Sequence, residues 1–170
     1  MNGGGKSRPS ELFISHASGD QLFVEKLCGE LQRHGLRYWY IKRHILGARQ
    51  WHDEIGTALG RCDWFLLVLS PKSVSSRWVK RELMYALETE RYNERIIPCV
   101  LKKCDVRKLS WTLSGFQFID LAGGGERGVR ELLRLWGVRY QAPITSARKP
   151  HRKRRPERRA ARSQRVRRTK

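Results

Sequence analysis

Carboxylates are scarce in this chain of 170 residues: 16 Asp and Glu stand against 36 Lys and Arg, a formal net charge of +20. Long apolar runs are missing too. No stretch approaches the ~20 residues of a membrane-spanning helix, and the opening "MNGGGKSRPS" lacks the apolar segment of a signal peptide. The four cysteines, Cys28, Cys62, Cys99 and Cys104, form no CxxC pair and have no histidine at metal-ligand spacing. Three of them lie inside apolar runs, where a thiol behaves as a small hydrophobe. The expectation is a soluble protein of a reducing cytoplasm, without a cofactor or metal of its own.

Several catalytic signatures are also absent: GxxxxGK[ST], GxSxG, HExxH and an Asx-rich calcium loop. The two GGG triplets, at 3–5 and 123–125, do not join a strand to a helix in a phosphate-binding turn, so the second reads as a flexible connection. The five histidines, at 16, 34, 44, 52 and 151, show no common spacing. Asp53 and Glu54 fall in the first turn of an expected helix, where acids favour the macrodipole. Asp20 and Asp63 read as boundary residues, Asp63 the more interesting because it introduces the central strand.

What the chain does have is an alternation of period. "ELFISHAS" is a short apolar run closed by small polar residues, a buried strand followed by a loop. Phe23, Val24, Leu27, Cys28 and Leu31 then recur at spacings of three and four, giving a helix that stops at His34-Gly35. "LRYWYI" reads as a second strand, residues 42–50 as a basic loop, and 51–61 as a short helix with Trp51, Ile55, Ala58 and Leu59 inward. "DWFLLVLS" is apolar throughout, as in a parallel strand covered on both faces. A helix capped by Ser75 or Ser76 follows. "RIIPCVL" is the fourth strand, its Pro98 suggesting an edge or bulged position. "FQFIDL" is the fifth, and "ERGVRELLRLWGV" the closing helix.

Strands alternating with helices at these spacings predict a doubly wound α/β domain of parallel strands over residues 10–140, after a flexible stretch 1–9. In such sheets ligands gather in the loops at the carboxyl ends of the strands, here beginning at Ser15, Ile41 and Ser70. Thirteen of the Lys and Arg, with the single acid Glu157, lie between Gln141 and Lys170, which leaves 23 basic and 15 acidic side chains before them. That Arg-rich tail, broken by Pro150 and Pro156, is expected to be disordered when alone.

"SPKSVSSRWVKRELMYALE", residues 70–88, sets Trp78 and Glu82 one helical turn apart. Val79, Leu83, Ala86 and Leu87 form the inward stripe, and the Trp78–Glu82 line lies about 100° from it, at its edge. From spacing alone two readings stand. Trp78 packs locally while Glu82 pairs with Lys80, Arg81 or water, or the pair faces the cleft above the strand ends.

In their order and spacing, "FISHASGD", "GLRYWYIKRHILGARQW" and "ALGRCDWFLLVLSPKSVSSRWVKRELMYAL" resemble the Toll/interleukin-1 receptor (TIR) domain family, in wording nearest to bacterial-type members. The resemblance covers roughly residues 10–122 and implies a flavodoxin-like, five-stranded parallel sheet. It implies one of two activities: signalling by homotypic assembly through the BB loop, or hydrolysis of NAD to nicotinamide and ADP-ribose or a cyclic isomer. In the enzymatic members the catalytic residue is a glutamate four residues after a tryptophan, which falls here on Glu82 and Trp78. Ser15, His16 and Ser70 are then expected to line the cleft, and Arg43 to meet the pyrophosphate. The BB loop is Lys42-Arg43-His44-Ile45-Leu46-Gly47, without the acid and Pro-Gly turn common in the family. The resemblance further implies a cytoplasmic immune or signalling role, with a separate partner as sensor.

The chemistry suits one carboxylate. Nicotinamide leaves the ribose neutral, so no general acid is required, and a single Glu can stabilise the oxocarbenium-like ribose and orient its hydroxyls. The alternative is a noncatalytic scaffold. In either case the tail cations, Arg152, Lys153, Arg154, Arg155, Arg158 and Arg159 among them, suit phosphate contacts on nucleic acid or another polyanion. Without interleaved aromatics they do not suit base stacking.

Overall fold

The structure, a computed structural model, describes residues 6–41 and 48–142. The BB-loop stretch 42–47, the side chain of Trp51 and the tail cations from Arg152 to Arg159 lie outside the described residues. In chain order the regular elements are β1 (Leu12–Ser15), α1 (Gln21–Arg33), β2 (Tyr38–Trp39), α2 (Ala48–Arg61) and β3 (Trp64–Leu69). They continue with α3 (Arg77–Glu88), β4 (Ile96–Val100), β5 (Ile119–Asp120) and α4 (Glu126–Leu135). Among the described residues every strand pairing is parallel, in the order β2-β1-β3-β4-β5. This is the flavodoxin-like arrangement, whose order reverses between β1 and β3.

Strand alternation divides the core in two. Leu12, Ile14, Trp64, Leu66, Val68 and Cys99 pack beneath α1 and α4, while Phe13, Phe65, Leu67 and Leu69 pack beneath α2 and α3. All six residues of β3 are buried, as its unbroken apolarity requires. Each large side chain there contributes about 1.5–3 kcal/mol of burial. Phe13 stacks on Phe65 with centroids 5.5 Å apart, which ties β1 to β3 on the α3 side. Ser15 has the same parity as Phe13 and therefore points toward α3.

Helix ends follow local signals. Gly35, at φ +69°, closes α1 by donating its N–H to Gln32 while the Leu36 N–H reaches Leu31. Gly137, at φ +64°, ends α4 in the same way. Ser76 is the cap of α3 and accepts the Val79 N–H.

Three expectations change. Strand β4 is an inner strand between β3 and β5, so Pro98 is not on an edge. Val100 accepts the Leu121 N–H, so by parity residue 98 also faces β5, one position before that ladder begins at Cys99–Ile119; its missing N–H removes no bond. Helix α2 starts at Ala48, inside the expected loop. Only Tyr38–Trp39 and Ile119–Asp120 of the longer runs read as strands are paired. The connection at 123–125 has Gly123 at φ +69° and Gly125 at φ +79° immediately before α4, a region that favours glycine.

Candidate functional site

The point where strand order reverses lies between the carboxyl ends of β1 and β3, and the two loops that leave it carry the polar residues of interest. Ser15 is the last residue of β1. Its hydroxyl donates to Glu82 Oε2 at 2.5 Å, across 67 residues of sequence. Both are buried, Ser15 at 0% and Glu82 at 6% exposure. Glu82 therefore belongs to the inward stripe of α3 with Val79, Leu83 and Ala86, and Leu87 is only half-buried. The reading of Glu82 as a solvated surface acid is thereby removed. A carboxylate is costly to bury, and the serine hydroxyl supplies part of the lost hydration.

Trp78 stands one turn earlier on α3, half-buried. The His52 ring of α2 meets it edge-on with centroids 4.8 Å apart, and the Arg81 guanidinium lies 5.2 Å from its ring centre. Trp78 thus joins α2 to α3 beside the Glu82 turn. His16 follows Ser15 with opposite parity; it is buried and meets Tyr40, which follows β2, at 5.7 Å in an edge contact. The structure brings Ser15 and Glu82 together, sets Trp78 beside His52 and Arg81, and sets His16 beside Tyr40.

Ser70, fully buried just after β3, donates its hydroxyl to Asp20 Oδ2 at 2.5 Å. Asp20 is itself 6% exposed. Sequence reasoning left it as a boundary residue, because an Asp directly before a helix reads as a cap, and no local signal reveals a partner 50 residues away. Cys104, half-buried after β4, has its thiol pushed up by burial and then by the carboxylates of Asp105 and Asp20. Asp63 lies at the other end of the sheet and accepts the backbone N–H groups of Ser10 and Glu11, each at 3.0 Å. Its role is to fasten the segment before β1.

Among the described residues no group of three or more His, Cys, Asp or Glu is placed to hold a metal ion. None of the described helices is long and apolar enough to cross a membrane.

A parallel doubly wound sheet with a buried carboxylate at its switch point defines the class. The family follows from the sequence: the model of the TIR domain matches residues 12–133, and the chain belongs to the TIR-domain family. No curated protein matches it. Among solved structures it is similar to a metazoan TIR-STING receptor from C. gigas in complex with 2′,3′-cGAMP. The identity is 23% over 74% of this chain and 38% of that one, with a TM-score of 0.61. It is also similar to the TIR domains of the activated Roq1 resistosome (15%, 73% and 97%, TM-score 0.56). A third likeness is to the TIR domain of the Toll-related receptor TRR-2 from Hydra magnipapillata (20%, 64% and 82%, TM-score 0.54). At these identities the likenesses show the fold.

Proposed function

We propose that this TIR-domain protein cleaves NAD at the nicotinamide–ribose bond, with Glu82 as the catalytic carboxylate. The observation that carries the reading is the Ser15–Glu82 pair, a buried carboxylate held by a hydroxyl at the switch point of the sheet. In the reaction the bond from C1′ to the pyridinium nitrogen breaks and its electron pair stays on nitrogen, giving neutral nicotinamide. Positive charge then develops on the ribose, and Glu82 stabilises it. Water adds to C1′ and loses its proton, giving ADP-ribose, or a nucleophile within the same molecule closes a cyclic isomer. Ser15 fixes the rotamer of Glu82, His16 and Trp78 shape the surrounding walls, and the fully buried Ser70 supports them from behind.

TIR domains assemble homotypically, and the proposal extends to that: a neighbouring copy's BB loop, residues 42–47, completes the cleft, with Arg43 against the pyrophosphate. The basic tail, through Arg152 and the cations after it, tethers the assembly to a polyanion; that contact weakens steeply as salt rises.

The test is nicotinamide release from NAD at high protein concentration with a crowding agent, comparing the natural chain with Glu82→Ala. Release that disappears in the variant supports the enzyme. Equal background in both, with assembly verified by light scattering, leaves a noncatalytic scaffold.

A further inference from the structure

Asp20 stands immediately before α1, where an aspartate ordinarily accepts a backbone N–H from the first turn of the helix. It makes no such bond. Its carboxylate turns inward to the Ser70 hydroxyl instead. Forgoing the cap leaves about 1 kcal/mol of helix stability unused, and burying the carboxylate adds a desolvation cost. A helix end alone does not require this arrangement.

Ser70 is held just as firmly. Its Oγ accepts the N–H groups of Lys72 and Ser73 at 3.2 and 3.1 Å, and the Ser73 hydroxyl accepts the Ser70 N–H at 2.7 Å while donating to the Ser70 carbonyl at 3.0 Å. Lys72 Nζ reaches back to the Gly19 carbonyl at 2.9 Å, a second stitch between the same two loops. One of those loops, 16–20, leaves β1 directly after Ser15. The other, 70–76, ends at the Ser76 cap of the helix that carries Glu82. The Asp20–Ser70 clasp therefore sets the relative position of the two segments whose meeting makes the Ser15–Glu82 bond.

We infer that Asp20 is a positioning residue for the chemistry at Glu82, acting through Ser70 and the turn into α3; this rests on the NAD-cleaving reading. Asp20 touches no substrate in it. Misplacing a reacting group by on the order of 1 Å costs up to about 100-fold in rate. Asp20→Ala is accordingly expected to lower kcat about tenfold with KM within about threefold. Asp20→Asn keeps an oxygen that accepts from Ser70, and is expected to restore kcat to within about threefold of the natural chain. Ser70→Ala, which also removes the acceptor of the Lys72 and Ser73 N–H groups, should lower kcat at least as far as Asp20→Ala, and the double variant should be no worse than Ser70→Ala, because the Asp20 carboxylate then has no hydroxyl left to hold.

A readout independent of turnover accompanies the kinetics: amide hydrogen exchange in loops 16–20 and 70–76. Asp20→Ala should lose protection in both loops together, and Asp20→Asn in neither. If Asp20→Ala does not fold, Ser70→Ala carries the kinetics, with loop 16–20 as the diagnostic segment for exchange because Ser70 also holds its own turn. An active natural chain with Asp20→Ala at full kcat, or with Asp20→Asn as impaired as Asp20→Ala, overturns the positioning role. An inactive natural chain with joint loss of protection sinks the NAD reading and leaves the clasp standing. Unchanged exchange in 70–76 overturns the clasp whatever the enzyme does.

Discussion

At the amino ends of the strands Glu11 and Asp63 meet arginines and backbone N–H groups, and at the carboxyl ends the two buried acids, Glu82 and Asp20, meet serine hydroxyls. Glu11 is 8% exposed and receives Arg61 through two bonds, at 2.6 and 3.1 Å. Asp63, beside it, takes two backbone N–H groups and has the Arg95 guanidinium at 4.0 Å. At the other end Glu82 and Asp20 receive Ser15 and Ser70. A cation on a buried acid neutralises it and closes the fold. A hydroxyl fixes an acid's position without neutralising it, and the proposed NAD cleavage asks that of Glu82. One pole is tied by cations, and the other keeps buried acids on hydroxyls at some cost in desolvation.

The comparison breaks first at Glu82. Glu82→Gln is expected to slow nicotinamide release about 100- to 1000-fold, the cost of removing a preorganised charge from a transition state. The melting temperature should stay level or rise, since a buried charge is gone; a marked fall would class Glu82 with the structural acids. Gly128→Ala is the opposite kind of change. An added Cβ would stand 2.2 Å from the Asp120 carbonyl oxygen and 2.5 Å from Leu121 Cδ2, so α4 must move off β5. The expected loss is about 1–3 kcal/mol in denaturant unfolding, with unchanged kcat for the folded fraction.

Glu11→Ala sharpens the contrast at the closed pole. It removes a carboxylate whose arginine partner is half-exposed, so about 1 kcal/mol of stability should go. Turnover should stay within about twofold, and a larger fall would join the two poles functionally. The smallest effect is alkaline. Burial, and next the charge of Glu11, push the Cys62 thiol up to about 12, against about 8.5 in an unfolded chain. Above the unfolded value the unfolded state has released a proton that the folded state retains, so stability falls as pH rises through that window. Tyr92 is shifted in the same direction by burial, its hydroxyl donating to the Leu59 carbonyl at 2.7 Å. Melting temperature followed from pH 8 to 11 should decline, and less steeply in Cys62→Ala.

Much of the fold was legible because its signals are local. The apolar run of β3 and the three-and-four spacing of α1 act within one element, and both helices ended by Gly35 and Gly137 stop where a glycine can take a positive φ. Glu82 was singled out by its distance from Trp78, while its burial and its bond to Ser15 depend on a strand 67 residues away. The short β2 and β5 were overread because pairing depends on a neighbour's register, which lies elsewhere in the chain. Pro98 misled for the same reason: a proline forbids one hydrogen bond, and only the sheet decides whether that bond was wanted.

The sequence by itself determined the alternation of strands and helices, the covered central strand and the family, since periodicity and motif order are properties of consecutive residues. Tertiary structure alone decided that Asp20 faces Ser70 and that Glu82 faces Ser15. Those bonds join residues 50 and 67 positions apart. Their partners are chosen by the parallel pairing of β1 with β3, which no single stretch of chain records.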